Sequence, residues 1–182
     1  MLFKSLTLLT AATSAIAAPA QDKNAPDGSE FILRLHPGSG SMGMKALQLR
    51  NNKVVFGLES NNTTVPPLQV TYQGDQLAVN SSSTSPGEIT IASNGQLVIT
   101  EASTSTFNST YGWTIEGGGS FVRQVYYKGS QEFYSCTSED GAVIGGQEVY
   151  ILGSGNYTCD EPFKFTIGAT TLATTEKLPE HL

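Results

Sequence analysis

The chain has 182 residues, with 10 Lys and Arg against 16 Asp and Glu and a net charge of −6 at neutral pH. This acidic balance does not suit nucleic acid, where basic side chains must replace the counterions of phosphate, nor an anionic membrane surface. The length suits one domain with a core of ordinary size.

Residues 1–18 read as a signal peptide. Lys4 supplies the positive start, Leu6 to Ala12 an apolar stretch, and Ala15-Ile16-Ala17 a small-x-small cleavage motif. The apolar stretch is too short for the ~30 Å of a bilayer core. Residues 173–182 form a polar tail without the hydrophobic signal for a lipid anchor. The expectation is an exported protein, secreted or wall-bound and with no membrane anchor; losing Lys4 with the leader leaves 9 basic residues against 16 acidic. Residues 19–29, polar and holding Pro19 and Pro26, predict a flexible arm ahead of a single domain over 30–172.

Five N-glycosylation acceptors follow the leader: Asn61, Asn62, Asn80, Asn108 and Asn156, each heading an Asn-x-Ser/Thr triplet without proline. Such triplets carry meaning only in a chain that enters the secretory pathway, and they belong on surface loops. Cys136 and Cys159 are the only cysteines. In an oxidising compartment such a pair bonds, and the predicted disulfide stabilises the fold by ~3 kcal/mol through the loop it closes. A zinc site takes about four ligands. Only His36 and His181 could add to the thiols, so no metal and no cofactor is expected.

In chain order, alternation of apolar and polar residues predicts half-buried strands. The runs are Phe31 to Leu35, Leu68 to Tyr72, Gln76 to Val79, Ile89 to Ile91, Leu97 to Ile99, Trp113 to Ile115, and Phe163 to Ile167. Turn formers separate them. Ser93-Asn94-Gly95 predicts a tight type I′ hairpin, because Asn-Gly accepts positive φ at both central positions. Gly74-Asp75, Gly117 to Gly119 and Lys128-Gly129 mark further turns, and Asn51-Asn52 is a weaker signal. No amphipathic helix is found. About a dozen short antiparallel strands with glycine turns predict an all-β fold. A β-trefoil-like barrel is favoured, on the recurring Gly-x-x-Leu step at Gly74 to Leu77 and the related Gly95-Gln96-Leu97; a two-sheet sandwich or jelly roll is the alternative.

The second half carries a resemblance. Gly112-Trp113-Thr114-Ile115-Glu116, Phe121, Gly129, Phe133-Tyr134-Ser135-Cys136, Gly145-Gly146, Val149-Tyr150 and Cys159-x-x-x-Phe163-Lys164-Phe165 resemble the PhiA-type cell-wall proteins of filamentous fungi. Phe31 to Ser39 resembles that family's opening strand. The chain lacks the additional cysteine pair often found nearer the family's N-terminus, and of the family's central glycine-rich segment only Ile91 to Gln96 remains. The resemblance implies a secreted, wall-associated protein with no established catalytic centre.

The residues themselves offer little chemistry. A Ser–His nucleophile needs a positioned base, but His36 precedes a proline, His181 is next to the end, and no Gly-x-Ser-x-Gly elbow occurs. Glycoside hydrolysis needs two facing carboxylates; Glu116, Glu132, Glu139, Asp140, Glu148 and Asp160 are the candidates, and a secreted hydrolase stands as the least favoured reading. The run Glu116 to Ser120 has glycines but no lysine after them, so it is read as a turn and not as a phosphate cradle. The aromatic residues of the last third remain. Trp113 is assigned to the core, while Tyr126, Tyr127 and Tyr150 are candidate sugar contacts, because an exposed ring can stack on a sugar face. If the strand is regular, one of Tyr126 and Tyr127 must point outward. The leading expectation is a secreted, N-glycosylated, non-enzymatic cell-wall protein, with a lectin-like module binding wall polysaccharide as the alternative.

Overall fold

A computed structural model of the chain describes residues 23–36, 45–58, 65–79, 87–101, 111–117, 121–136, 146–155, 159 and 162–172. Among them the fold is all-β and antiparallel, with thirteen strands and no helix. In chain order these are β1 (Ser29–His36), β2 (Leu47–Arg50), β3 (Lys53–Phe56), β4 (Gln69–Gln73), β5 (Gln76–Val79), β6 (Gly87–Ile91) and β7 (Leu97–Glu101). Then follow β8 (Trp113–Glu116), β9 (Val122–Tyr127), β10 (Phe133–Ser135), β11 (Gln147–Glu148), β12 (Tyr150–Ile151) and β13 (Phe163–Thr171). Neighbours run β11-β3-β7-β6-β5-β4-β1-β13-β10-β12, with β2 on β3, and β8 on β9, which in turn pairs β13. This order does not close on itself, so a barrel, trefoil or otherwise, is not shown.

Every alternating run named above lies on a strand, except that Leu68 precedes β4. In β1, Phe31, Leu33 and Leu35 are buried while Ile32, Arg34 and His36 keep exposed area. β13 holds the molecule together. Its residues pair β1 from Phe31↔Thr171 to His36↔Thr166. Its other side pairs β9 through Ile167↔Val125 and β10 through Phe133↔Phe165. Strands buried on both faces lack alternation and so lack the sequence signal. β3 is one, with Val54, Val55 and Phe56 all buried; β10 is another, with Phe133, Tyr134 and Ser135 all buried.

The main core gathers the inward residues of most strands around Trp113. Its ring lies 4.9 Å from that of Tyr127 and 6.4 Å from that of Phe133. The indole N–H donates to the Ile89 carbonyl at 3.2 Å, so its one polar group is satisfied on burial. A second cluster lies on the other face of β10, where Tyr134, Tyr150 and Cys136 pack with Leu152 and Cys159. The Cys136–Cys159 disulfide closes it, with Cα atoms 6.0 Å apart.

Two expectations change. The arm is not free over all of 19–29. From Lys23 it lies along the edge of β8, where Ala25 N–H donates to Ile115 at 2.7 Å and Gly117 N–H to Lys23 at 3.0 Å. Ala25 is buried in the main core, which is what anchors a segment of otherwise polar composition. The Asn94-Gly95 turn is also different. β6 and β7 do form a hairpin, but Asn94 is not at positive φ, and the turn is closed by Gly95 N–H donating to Ala92 at 2.8 Å. Two-residue turns with both central φ positive occur at Asn51-Asn52, Gly74-Asp75 and Lys128-Gly129 instead.

Candidate functional site

The sugar-contact candidates part company in the structure. Tyr127 is 4 % exposed, against Trp113, with the Lys128 ammonium 5.3 Å from its ring centre. Tyr150 is 5 % exposed, stacked on Tyr134 at 5.4 Å beneath the disulfide. Neither presents a ring face to solvent, so both leave the set of sugar contacts. Tyr126 alone of the three remains partly exposed. This is the pleat at work: successive side chains of β9 point to opposite faces, and Val125 and Tyr127 take the core side.

Tyr126 lies in an open groove of about 380 Å³, lined also by Lys23, Glu116, Gly117, Val122 and Gln124. Three of these, Val122, Gln124 and Tyr126, are alternate residues of β9 and share its outer face. β8 lies beside it with Thr114 opposite Tyr126 and Glu116 opposite Gln124, and directly opposed residues share a face. The Gln124 amide donates to the Ile167 carbonyl at 3.1 Å, which orients it on β13. Across the next pairing Gln124 faces Gly168, where an added Cβ would come within 2.7 Å of Val122 Cγ1. The missing side chain at Gly168 is therefore what seats Val122 in the groove. Phe121, next to Val122 in the chain, is 94 % exposed.

The groove holds one carboxylate, one ammonium, one amide and one phenol ring. That set can hydrogen-bond hydroxyls and stack on an apolar face. It carries no excess charge of either sign.

The other prominent polar cluster is centred on Glu148, whose side chain is 14 % exposed. Lys53 Nζ donates to its Oε1 at 2.7 Å, Gln96 Nε2 to its Oε2 at 2.5 Å and the Tyr150 hydroxyl to its Oε2 at 2.8 Å. The Arg50 guanidinium stands 3.9 Å away. Burial by itself pushes the Glu148 carboxyl up; the hydrogen bonds from Lys53 and Tyr150 and the charges of Lys53 and Arg50 outweigh it and hold the group below its ordinary value. This carboxylate on β11 ties together Lys53 of β3, Tyr150 of β12 and Gln96 just ahead of β7, with Arg50 of β2 nearby, and it does not line the Tyr126 groove. Among the described residues no three of His, Cys, Asp and Glu are grouped to hold a metal ion.

The five acceptor asparagines, and Glu139, Asp140 and Asp160, lie outside the described residues. Of the groove, Tyr126 alone was named from the sequence as a sugar contact. The signal for Val122 and Gln124 is their two-residue spacing from Tyr126; Lys23 has no such signal, being 103 positions from Tyr126 in the chain. No protein family matches the chain, and neither does any curated protein or solved structure.

Proposed function

We propose that this is a secreted, N-glycosylated, non-enzymatic protein of the cell wall, which contacts wall polysaccharide through the Tyr126 groove. The groove carries the reading: a partly exposed ring beside Glu116 and Gln124, open to solvent and balanced in charge on a molecule of net charge −6. Charge balance favours a neutral chain over a polyanion, and openness favours a polymer that continues beyond the site. A ring against a sugar supplies dispersion and apolar burial while the polar groups order the hydroxyls. Its lining has a single carboxylate, where glycoside hydrolysis takes two. The disulfide supports export, since such bonds persist in oxidising compartments. The leader and the five acceptors support the same compartment.

The test is retention on insoluble β-glucan and chitin, against a control protein. Wild type is retained and Tyr126→Ala loses ~1.4 kcal/mol of binding, about tenfold in affinity, with no loss of fold. Equal retention of wild type and control sinks polysaccharide contact; equal retention of wild type and variant sinks this groove as its place. The mass of the secreted product before and after deglycosylation, and an N-terminus near residue 19, check the compartment.

A further inference from the structure

The groove is assembled from two segments distant in the chain. β8, β9 and Gly117, which follows β8, supply Glu116, Gly117, Val122, Gln124 and Tyr126; the arm ahead of β1 supplies Lys23. Lys23–Ala25 is held by the two main-chain hydrogen bonds to Ile115 and Gly117 and by the buried methyl of Ala25, while the rest of the arm is fixed by Gly28 N–H donating to Tyr72 at 2.8 Å and Gly74 N–H to Asp27 Oδ1 at 2.9 Å. Lys23 and Asn24 are exposed, with Asn24 standing opposite Glu116. On that side of β8 the arm is the only pairing partner among the described residues. A segment outside the strands and held by two main-chain bonds opens more readily than the strands behind it.

We propose that Lys23–Ala25 is a movable wall of the groove, and that its docking on β8 is coupled to the binding of a neutral polysaccharide chain. This rests on the groove being the polysaccharide site. A chain lying in the groove meets Lys23 of the arm as well as Glu116 of β8 and Tyr126 of β9, so it binds the docked arm better than the open one. Differential affinity is what shifts a two-state equilibrium. The coupling is reciprocal: whatever factor the ligand adds to docking, docking adds to the ligand's affinity. Binding competence is thus set by the residues that immediately follow the leader, and loss of the arm both lowers affinity and bares the edge of β8, a template for pairing with other strands.

The experiment is amide hydrogen exchange on the full mature protein, with and without a saturating soluble β-1,3-glucan oligosaccharide. The Gly117 amide, whose acceptor is the Lys23 carbonyl, slows at least about fivefold on binding, the lower end of ordinary coupling. The Gly95 amide, bonded within the β6–β7 turn, does not change. Ala25→Pro lacks the N–H that donates to Ile115 and binds the oligosaccharide more weakly by the factor that Gly117 gains in wild type. Lys23→Ala leaves the main-chain bonds and the buried Ala25 in place; it loses the ligand contact and with it the slowing at Gly117. Oligosaccharide binding with unchanged Gly117 exchange overturns the movable wall and leaves the groove standing, as does wild-type affinity in both variants. No binding by wild type overturns the polysaccharide reading and the coupling with it.

Discussion

Glu148 shows how a partly buried charge is kept. Desolvation opposes its ionised form, and the hydrogen bonds of Lys53 and Tyr150 with the charges of Lys53 and Arg50 restore it, while Gln96 donates a third hydrogen bond. Because the folded carboxyl sits below its ordinary value of 4.5, the unfolded chain takes up the proton first as pH falls. The stabilisation is therefore full above 4.5 and is lost as pH drops through the lower folded value. Glu148→Gln removes that component, so its stability varies less with pH than wild type below 4.5, as acid titration of denaturant midpoints would show. At neutral pH the variant is destabilised by about 1–2 kcal/mol; Lys53 limits the cost, because its side chain is 41 % exposed and can regain water. Tyr126 sits at the other extreme. Partly exposed and outside the core cluster, it can lose its ring with a change of stability within about 0.5 kcal/mol, so a loss of binding in Tyr126→Ala reads as a lost contact.

At the scale of elements, turns touching turns decide what local preference does not. Gly95, at φ +87°, lies against the 152–155 turn so closely that a Cβ would meet the Ser154 carbonyl oxygen at 1.9 Å. Its own carbonyl accepts from Ile151 at 3.0 Å. Gly129, at φ +79°, has nothing within 4 Å of that position. Gly129→Ala then costs only the left-handed strain, about 1 kcal/mol, while Gly95→Ala adds a backbone clash and costs about 2–4 kcal/mol. Thermal melts of the two variants separate conformation from contact. The disulfide works at the same scale. It closes a loop of sequence separation 23 and covers the Tyr134–Tyr150 stack. Replacing Cys136 and Cys159 together by Ala removes ~3 kcal/mol and lowers the melting temperature by about 6–12 °C. An unchanged melt would show that the stack needs no clamp.

Over the whole molecule the last strand matters most. β13 supplies a partner to β1, β9 and β10, so the ladder pairing that joins β1 to β9 and to β10 runs through Phe163–Thr171. A chain ended at residue 162 is expected to show no cooperative unfolding transition by circular dichroism; a normal transition would mean that β1 finds its core without β13. Such end-to-end pairing also makes folding slow, since loop closure precedes the gain from contact. From the sequence alone came the all-β class, the half-buried strands, the place of Trp113 in the core, the pairing of Cys136 with Cys159, and the outward turn of one of Tyr126 and Tyr127. Each rests on local period or on elimination between a pair, and neither needs a partner strand to be known. The tertiary structure decided the rest: which neighbour each strand takes, that β3 and β10 are covered on both faces, that Asn94-Gly95 bends to suit Ser154, and that Lys23 joins Tyr126 across 103 positions. Those outcomes depend on non-local hydrogen bonds and close contacts, and residues distant in the chain carry no mark in one sequence of which of them will meet.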